Sequence, residues 1–86
     1  MEQSYSKPVK NPRLATIIAI NFIRKQKELN LTLEQIKEKA FISTNTYRYI
    51  RKGKYNTTIA TLQKIADKLG FDVLEFFKYW FMLGKR

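Results

Sequence analysis

The sequence predicts a small all-α domain of five helices, and three observations support this. Apolar residues such as Leu14, Ile18 and Phe22 recur near the 3.6-residue period of a helix. Helix-capping residues stand before several apolar segments, and glycines follow two of them. No segment alternates between apolar and polar residues as a strand does. Because 86 residues suffice for one modest core, we expect a compact domain over residues 13–83, preceded by a flexible basic arm over residues 1–12.

The first two helices are predicted from a proline and a capping box. The arm has no apolar period and ends at Pro12, a residue that suits the first turn of a helix. The first helix is therefore expected from Arg13. Thr32 and Gln35 have the three-residue spacing of a capping box, in which each side chain bonds the other residue's backbone N–H. They predict a short second helix with Ile36 facing the core.

The third and fourth helices each have an N-cap residue and a terminating glycine. Ser43 caps the third helix, and Gly53 ends it because glycine adopts the left-handed backbone without strain. Thr58 caps the fourth helix, and Gly70 ends it. The apolar face predicted for the fourth helix consists of Ile59, Leu62, Ile65, Ala66 and Leu69.

An aromatic segment, VLEFFKYWFML, follows the fourth helix. Asp72 and Glu75 have capping-box spacing and predict a fifth helix through this segment. The segment is more apolar than one core-facing side requires, and two interpretations remain open. The helix folds back onto the first helix, where Ile20 and Ile23 lie off the core face, or it forms a dimer interface. The residues expected in such an interface are Tyr79, Trp80, Phe81 and Leu83.

The charge balance points to a polyanionic partner. The formal net charge is +10, and residues 39–66 contain no aspartate or glutamate. A hydrophobic fraction of 44% is that of a folded protein, so the excess charge belongs to the surface of a globular domain. Nucleic acid is the first candidate for such a partner.

Composition argues against several other functional classes. The absence of cysteine and histidine disfavours disulfides, zinc sites and the commonest general base. The chain has no Gly-rich phosphate loop, so we expect no enzyme activity, no metal, no cofactor and no small-molecule substrate. The apolar runs are shorter than the ~20 residues that span a bilayer, and no signal pattern opens the chain. We expect a cytoplasmic, nucleoid-associated protein with no membrane partner.

The segment STNTYRYIRKGKYN, residues 43–56, contains the third helix and suggests what it binds. A helical wheel at about 100° per residue places four polar residues on one side: Thr44, Asn45, Arg48 and Lys52. Thr46, Tyr47 and Ile50 fall on the other side, with Tyr49 and Arg51 on the flanks. A helix fits the DNA major groove, where arginine pairs with guanine and asparagine with adenine. The alternative is a merely solvated cationic helix, but a solvated surface normally mixes both charge signs.

The order and spacing of these signals resemble the lambda-repressor/Cro-like (Xre-type) helix-turn-helix family. The resemblance covers residues 31–77 well and the first helix loosely. It rests on features that include Leu31-Thr32, Ile42-Ser43, Gly53, Ile65-Ala66 and Leu69-Gly70. In that family the second helix crosses the DNA backbone, and the third is the recognition helix in the major groove.

The resemblance also implies which residues contact DNA. The base-contact candidates are Thr44, Asn45, Arg48 and Tyr49. Further DNA contacts, chiefly to phosphate, are expected from Ser43, Arg51, Lys52, Lys54, Tyr55 and Asn56. Backbone N–H groups at the starts of the second and third helices would assist them.

Three positions depart from the family pattern. Leu33 stands where the family commonly has a glutamine that contacts phosphate. Phe41 replaces the glycine of the turn, so this position either avoids a left-handed backbone or is held there by packing of the ring. Gln26 and Arg51 replace an arginine–glutamate ion pair between the first and third helices, which we expect to release Arg51 for phosphate.

The sequence therefore predicts a sequence-specific, double-stranded DNA-binding transcription regulator. The resemblance implies a small repressor of phage or mobile-element type that binds a near-palindromic operator as a homodimer. One alternative is a protein-interaction module, an antitoxin or anti-repressor, on the same scaffold. Another is an RNA-binding protein whose tyrosines stack on bases.

Overall fold

The computed structural model describes residues 11–56 and 58–80, and in this part of the chain the regular secondary structure is all helical. The elements are α1 (Pro12–Leu29), α2 (Leu33–Ala40), α3 (Thr44–Arg51), α4 (Ile59–Leu69) and a 3-10 helix (Val73–Phe77). The predicted all-α class is confirmed. The predicted continuous fifth α-helix is wrong over the described residues, because a five-residue 3-10 helix and then a turn at Lys78 and Tyr79 stand in its place.

The helices begin where capping side chains satisfy free backbone N–H groups. The Thr32 hydroxyl accepts from Gln35 N at 3.2 Å, and the Gln35 side chain accepts from Thr32 N at 2.8 Å, which completes the predicted capping box. Ser43 and Thr58 cap α3 and α4 as predicted. Helix α1 begins at Pro12, one residue before the predicted start.

The core is built around the ring of Phe22 in α1. This ring stacks on Phe76 with centroids 6.5 Å apart and meets the edge of Tyr47 at 5.7 Å. Packed around these rings are Ile18, Ile36, Ala40, Ile50, Leu62, Ile65 and Ala66. In this arrangement α1 packs against α3 and the 3-10 helix, while α2 packs against α4. Both helices of the expected helix-turn-helix therefore pack against the core through their buried sides.

Ile59 does not lie in the core, contrary to the prediction for α4. It is 60% exposed, whereas Leu62 and Ile65 of the same helix are buried. Ile59 occupies the first position of the helix and the edge of its apolar face, so it extends past the packed core.

The segment after α4 is fastened to α1 by hydrogen bonds from side chains. The buried Asn21 amide donates to Phe76 O at 2.8 Å and to Lys78 O at 2.7 Å. The Arg24 guanidinium donates to the Glu75 backbone carbonyl at 3.1 Å and to its carboxylate at 2.9 Å. The Glu75 carboxylate therefore turns to α1 instead of completing the predicted capping box with Asp72. The described part of this segment folds back onto α1, as one of the two interpretations expected.

The end of the described chain leaves aromatic surface exposed. Tyr79 adopts a positive φ of 72° directly after the 3-10 helix, which interrupts any continuous helix through this segment. Tyr79 is 46% exposed and Trp80 is 38% exposed. Ile20 on α1 is also exposed. Phe81 and Leu83, the other residues expected in a dimer interface, lie outside the described residues.

None of the described helices combines the length and the apolar character that a membrane crossing requires.

Candidate nucleic-acid interface

Helix α3 has one buried side and one exposed side, as its sequence predicts. Thr46, Tyr47 and Ile50 are buried. On the opposite side, which we call the α3 outer face, lie Thr44, Asn45, Arg48 and Lys52. Asn45, Arg48 and Lys52 are exposed, and Thr44 is half-buried. The packed side fixes the helix so that the α3 outer face presents its polar groups to solvent.

The start of α3 is held by a local hydrogen-bond cluster. Ser43 Oγ accepts from Thr46 N at 3.1 Å and lies 3.1 Å from the Thr46 hydroxyl. At the other end, Gly53 adopts a φ of 71° and lets the chain leave the helix in the left-handed conformation. These contacts order an eight-residue helix that would not be stable in isolation.

The cations of this surface are not neutralised within the described domain. In residues 11–56 and 58–80, no ion pair joins Arg48, Lys52 or Lys54 to a carboxylate. The absence of acids between residues 39 and 66 explains this locally. An exposed set of unpaired cations creates a positive potential that attracts polyanions.

Most ion pairs of the described residues lie on α1 and the 3-10 helix. Arg24 bridges Glu28 and Glu75 at 2.9 Å each, and Lys25 bonds Glu28 at 2.9 Å. Hydrogen bonds from Lys25 and Arg24 hold the pKa of Glu28 below its ordinary value. A hydrogen bond from Arg24 lowers the pKa of Glu75, although partial burial acts against this. Acids and their partners are thus concentrated on elements other than α3.

The pKa of Arg24 is raised by the same network. Burial alone would lower it, but the hydrogen bonds to Glu75 and Glu28 outweigh burial. The group remains a cation at every pH that the folded protein experiences.

Two helix N-termini add partial positive charge near these cations. Thr32 begins α2 and Ser43 begins α3, and both residues are exposed. Free N–H groups at a helix start, together with the helix dipole, favour phosphate oxygens. The first turn of α3 contains no acidic residue, whereas Glu34 lies in the first turn of α2. The start of α3 is therefore the more favourable of the two for an anion.

The loop after α3 contributes one exposed cation and two polar groups. Lys54 is exposed, while Tyr55 and Asn56 are half-buried. Tyr55 packs against the hydrophobic core. Tyr49, Tyr55 and Asn56 each have an interaction partner within the chain.

Arg51 has no ion pair among the described residues, as expected, but its side chain is bonded within the domain. Its Nη1 donates to the Gln26 side-chain oxygen at 2.7 Å, and its guanidinium lies 5.5 Å from the centroid of the Tyr47 ring. The connection between α1 and α3 is therefore kept, with an uncharged acceptor in place of a carboxylate.

The other two departures from the family pattern are also accounted for. Leu33 is half-buried against the core, so an apolar contact replaces a polar one at the start of α2. Phe41 adopts a left-handed backbone with φ 57° and ψ 48°. Its ring is 71% exposed and lies under Lys68, whose Nζ is 5.5 Å from the ring centroid. The first expected alternative for Phe41 is wrong, because the left-handed backbone is present; the ring contacts Lys68 and is not buried in the core.

Comparison with known proteins identifies the fold family. The HTH_3 family model, described as helix-turn-helix, matches residues 22–76. The chain belongs to the HTH_3 helix-turn-helix family. The expected resemblance is thereby confirmed, and α2 and α3 are its helix-turn-helix. The search of curated proteins finds no match to the sequence.

A solved HTH_3 protein has the same fold. The crystal structure of an HTH_3 family transcriptional regulator from Vibrio cholerae superposes with a TM-score of 0.72 and 29% sequence identity. The match covers 77% of this chain and 37% of that chain. The chain therefore corresponds to about a third of the Vibrio protein.

Two structurally important residues were not assigned a role by sequence reasoning. Asn21 is completely buried, and its amide connects α1 to the chain after the 3-10 helix. It lies four residues after the buried Ile17, on the same side of α1. A polar residue at a position where the helical period predicts an apolar one was the signal in the sequence. Gln26 was noted only as a departure, yet its side chain bonds three other residues.

Proposed function

We propose that this HTH_3 chain is a sequence-specific DNA-binding transcription regulator whose α3 outer face reads the major groove. The observation that carries the proposal is the exposed pair Asn45 and Arg48 on a helix within residues 39–66, a stretch of sequence that contains no acid. Arginine recognises guanine and asparagine recognises adenine through paired hydrogen bonds in that groove. Thr44 lies on the same side of the helix, where its methyl group could contact thymine.

Phosphate contacts are proposed around this face. Ser43 at the start of α3 and Lys54 in the loop after it are both exposed and flank the helix at its two ends. Contacts at both ends would fix the register of α3 along the groove without reading sequence. Tyr49, Lys52, Tyr55 and Asn56 remain further candidates.

We propose repression by occupancy of an operator as the mode of action, by two copies of the chain on a near-palindromic site. Two recognition helices would then enter the groove one helical turn apart, about 34 Å. Exposed apolar residues on and beside α1 support pairing. The exposed Tyr79 ring lies 5.8 Å from the guanidinium of Arg24, and Arg24 lies one helical turn after the exposed Ile20. The small phage or mobile-element type remains a prediction from the resemblance.

Selection of bound duplexes from a random pool tests the proposal. An enriched two-fold symmetric sequence is expected, and failure to enrich any duplex would count against it. Arg48→Ala should cost about 1–3 kcal/mol and relax the preference at one base position, whereas Lys54→Ala should weaken all duplexes alike. Arg48→Lys is the matched control, because lysine keeps the charge but loses the planar fork that bonds guanine.

A protein-interaction module is the second candidate. The exposed Phe41 and Leu74 offer apolar side chains that a protein partner would cover. An antitoxin or anti-repressor of this kind would co-purify with a protein partner and bind no duplex selectively. Competition by hairpin RNA in place of duplex DNA would favour the RNA-binding alternative.

A further inference from the structure

The side chain of Gln26 connects three parts of the helix-turn-helix. Its Oε1 accepts from Arg51 Nη1 at 2.7 Å and from the Tyr47 hydroxyl at 2.9 Å, both on α3. Its Nε2 donates to Leu31 O at 3.0 Å, in the turn that leads into α2. One side chain of α1 therefore sets the position of α3 relative to the start of α2.

The chemistry of these three bonds requires an amide. A guanidinium and a phenol hydroxyl donate to the carbonyl end, while the NH₂ end donates to a backbone carbonyl. Glutamate would accept from Arg51 and Tyr47 but would place a second acceptor against Leu31 O. Methionine has a similar length but no strong acceptor and no donor. Glutamine is thus the residue that holds Arg51 with full hydrogen bonding and without an opposing charge.

The charge on Arg51 consequently stays uncompensated. Among the described residues Arg51 has no ion pair, and its guanidinium is held between Gln26 and the face of the Tyr47 ring. It lies one helical turn after Arg48, on the flank of the α3 outer face, and is half-buried. A guanidinium has five N–H donors, so those not bonded to Gln26 remain for another acceptor.

We propose that Gln26 is a positioning residue for DNA binding, which orders Arg51 for a phosphate contact without neutralising its charge. This inference rests on the proposed function. An arginine whose rotamer is fixed before binding loses less entropy when it meets a phosphate. A carboxylate at position 26 would order Arg51 equally well but would compete with the phosphate for the same charge.

The salt dependence of binding to the selected duplex tests this inference. Arg51→Gln should make the slope of log K against log salt shallower by about 0.9, the value for one phosphate contact. Gln26→Glu should give a similar decrease, because its carboxylate neutralises Arg51. A purely structural role for Gln26 would change affinity without this shared change in slope.

Gln26→Met removes the hydrogen bond that positions Arg51 but adds no charge that would compensate Arg51. It should lower affinity roughly three- to tenfold, the effect of losing the one of its three hydrogen bonds that orders Arg51, while the slope stays near that of the wild type. Thermal unfolding of each variant verifies the fold. If Gln26→Glu does not fold, the affinity of Gln26→Met tests the inference instead. A Gln26→Met variant that binds the duplex with wild-type affinity overturns the inference. Wild-type slopes for Arg51→Gln and Gln26→Glu also overturn it while leaving the proposed function intact. A wild-type chain that binds no duplex overturns both.

Discussion

Asn21 shows how a single buried amide sets the course of the chain. Its Nδ2 donates to Phe76 O and Lys78 O, and its Oδ1 accepts from Arg24 Nε at 3.1 Å. No described buried side-chain polar atom lacks a hydrogen-bond partner. Because Phe76 and Lys78 are distant from Asn21 in the sequence, these two hydrogen bonds are tertiary contacts that local sequence patterns do not reveal.

Asn21→Ala should lower the free energy of unfolding by about 1–3 kcal/mol. The substitution leaves the buried carbonyl of Phe76 and the part-buried carbonyl of Lys78 without this donor. Urea denaturation followed by circular dichroism measures the change. Asn45→Ala is the matched control, since Asn45 is exposed and its loss should change stability by no more than about 0.5 kcal/mol. Equal stability of the two variants would refute this role for Asn21.

Phe41 stores backbone strain in the turn of the helix-turn-helix. Its φ of 57° is a conformation that costs a residue with a Cβ about 1–2 kcal/mol. The mostly exposed ring gains little burial in return.

Phe41→Gly should therefore be more stable than Phe41→Ala by about 1 kcal/mol, because glycine relieves the strain and alanine does not. Both substitutions remove the ring and its contact with Lys68, so their difference isolates the backbone. Chemical denaturation of the pair measures it. A more stable alanine variant would show that the turn is not strained.

At the scale of the elements, the sequence predicted the first four helices well and the last one poorly. Local signals decide α2, α3 and α4, where Thr32, Ser43 and Thr58 cap the helices as expected. The last segment has an equally good N-cap in Asp72, but α1 side chains bond the carbonyls of Glu75, Phe76 and Lys78. A carbonyl bonded by a side chain from another helix competes with continuation of the α-helix, and the sequence does not show that competition.

The network around Glu75 should make the attachment of the 3-10 helix sensitive to acid. The pKa of Glu75 is lowered in the folded state, so its ion pairs stabilise the fold above the ordinary glutamate pKa of about 4.3. This stabilisation is lost as the pH falls through the lowered pKa.

Glu75→Gln should therefore reduce stability at pH 7, and its difference from the wild type should shrink as the pH falls below about 4. Urea midpoints at a series of pH values measure the difference. Glu38→Gln is the control, because Glu38 is exposed on α2 and lies outside this network. A Glu75→Gln difference that stays constant with pH would contradict the linkage.

At the scale of the whole molecule, the described domain separates its charges. Ion-paired acids lie on α1, α2 and the 3-10 helix, while the α3 outer face and the following loop carry cations that have no ion pair among the described residues. The sequence predicted this face because the acid-free region is contiguous in the chain. It did not predict that Gln26 holds Arg51, because their contact joins two helices through side chains 25 residues apart.

The exposed aromatic residues after the 3-10 helix carry the proposal of a homodimer. Trp80→Ala should lower the mass measured by light scattering, because an aromatic ring in an interface core contributes strongly to association. Leu74→Ala is the control, since Leu74 is an exposed apolar residue of the 3-10 helix itself. An unchanged mass for Trp80→Ala would exclude Trp80 from any dimer contact.

The central claim is that the α3 outer face touches base edges, and protection of guanine N7 from methylation tests it most directly. The wild type bound to its selected duplex should protect guanines in the major groove, and Arg48→Ala should restore methylation at one guanine of each half-site. Arg48→Ala protection identical to that of the wild type, at matched occupancy, would contradict the claim.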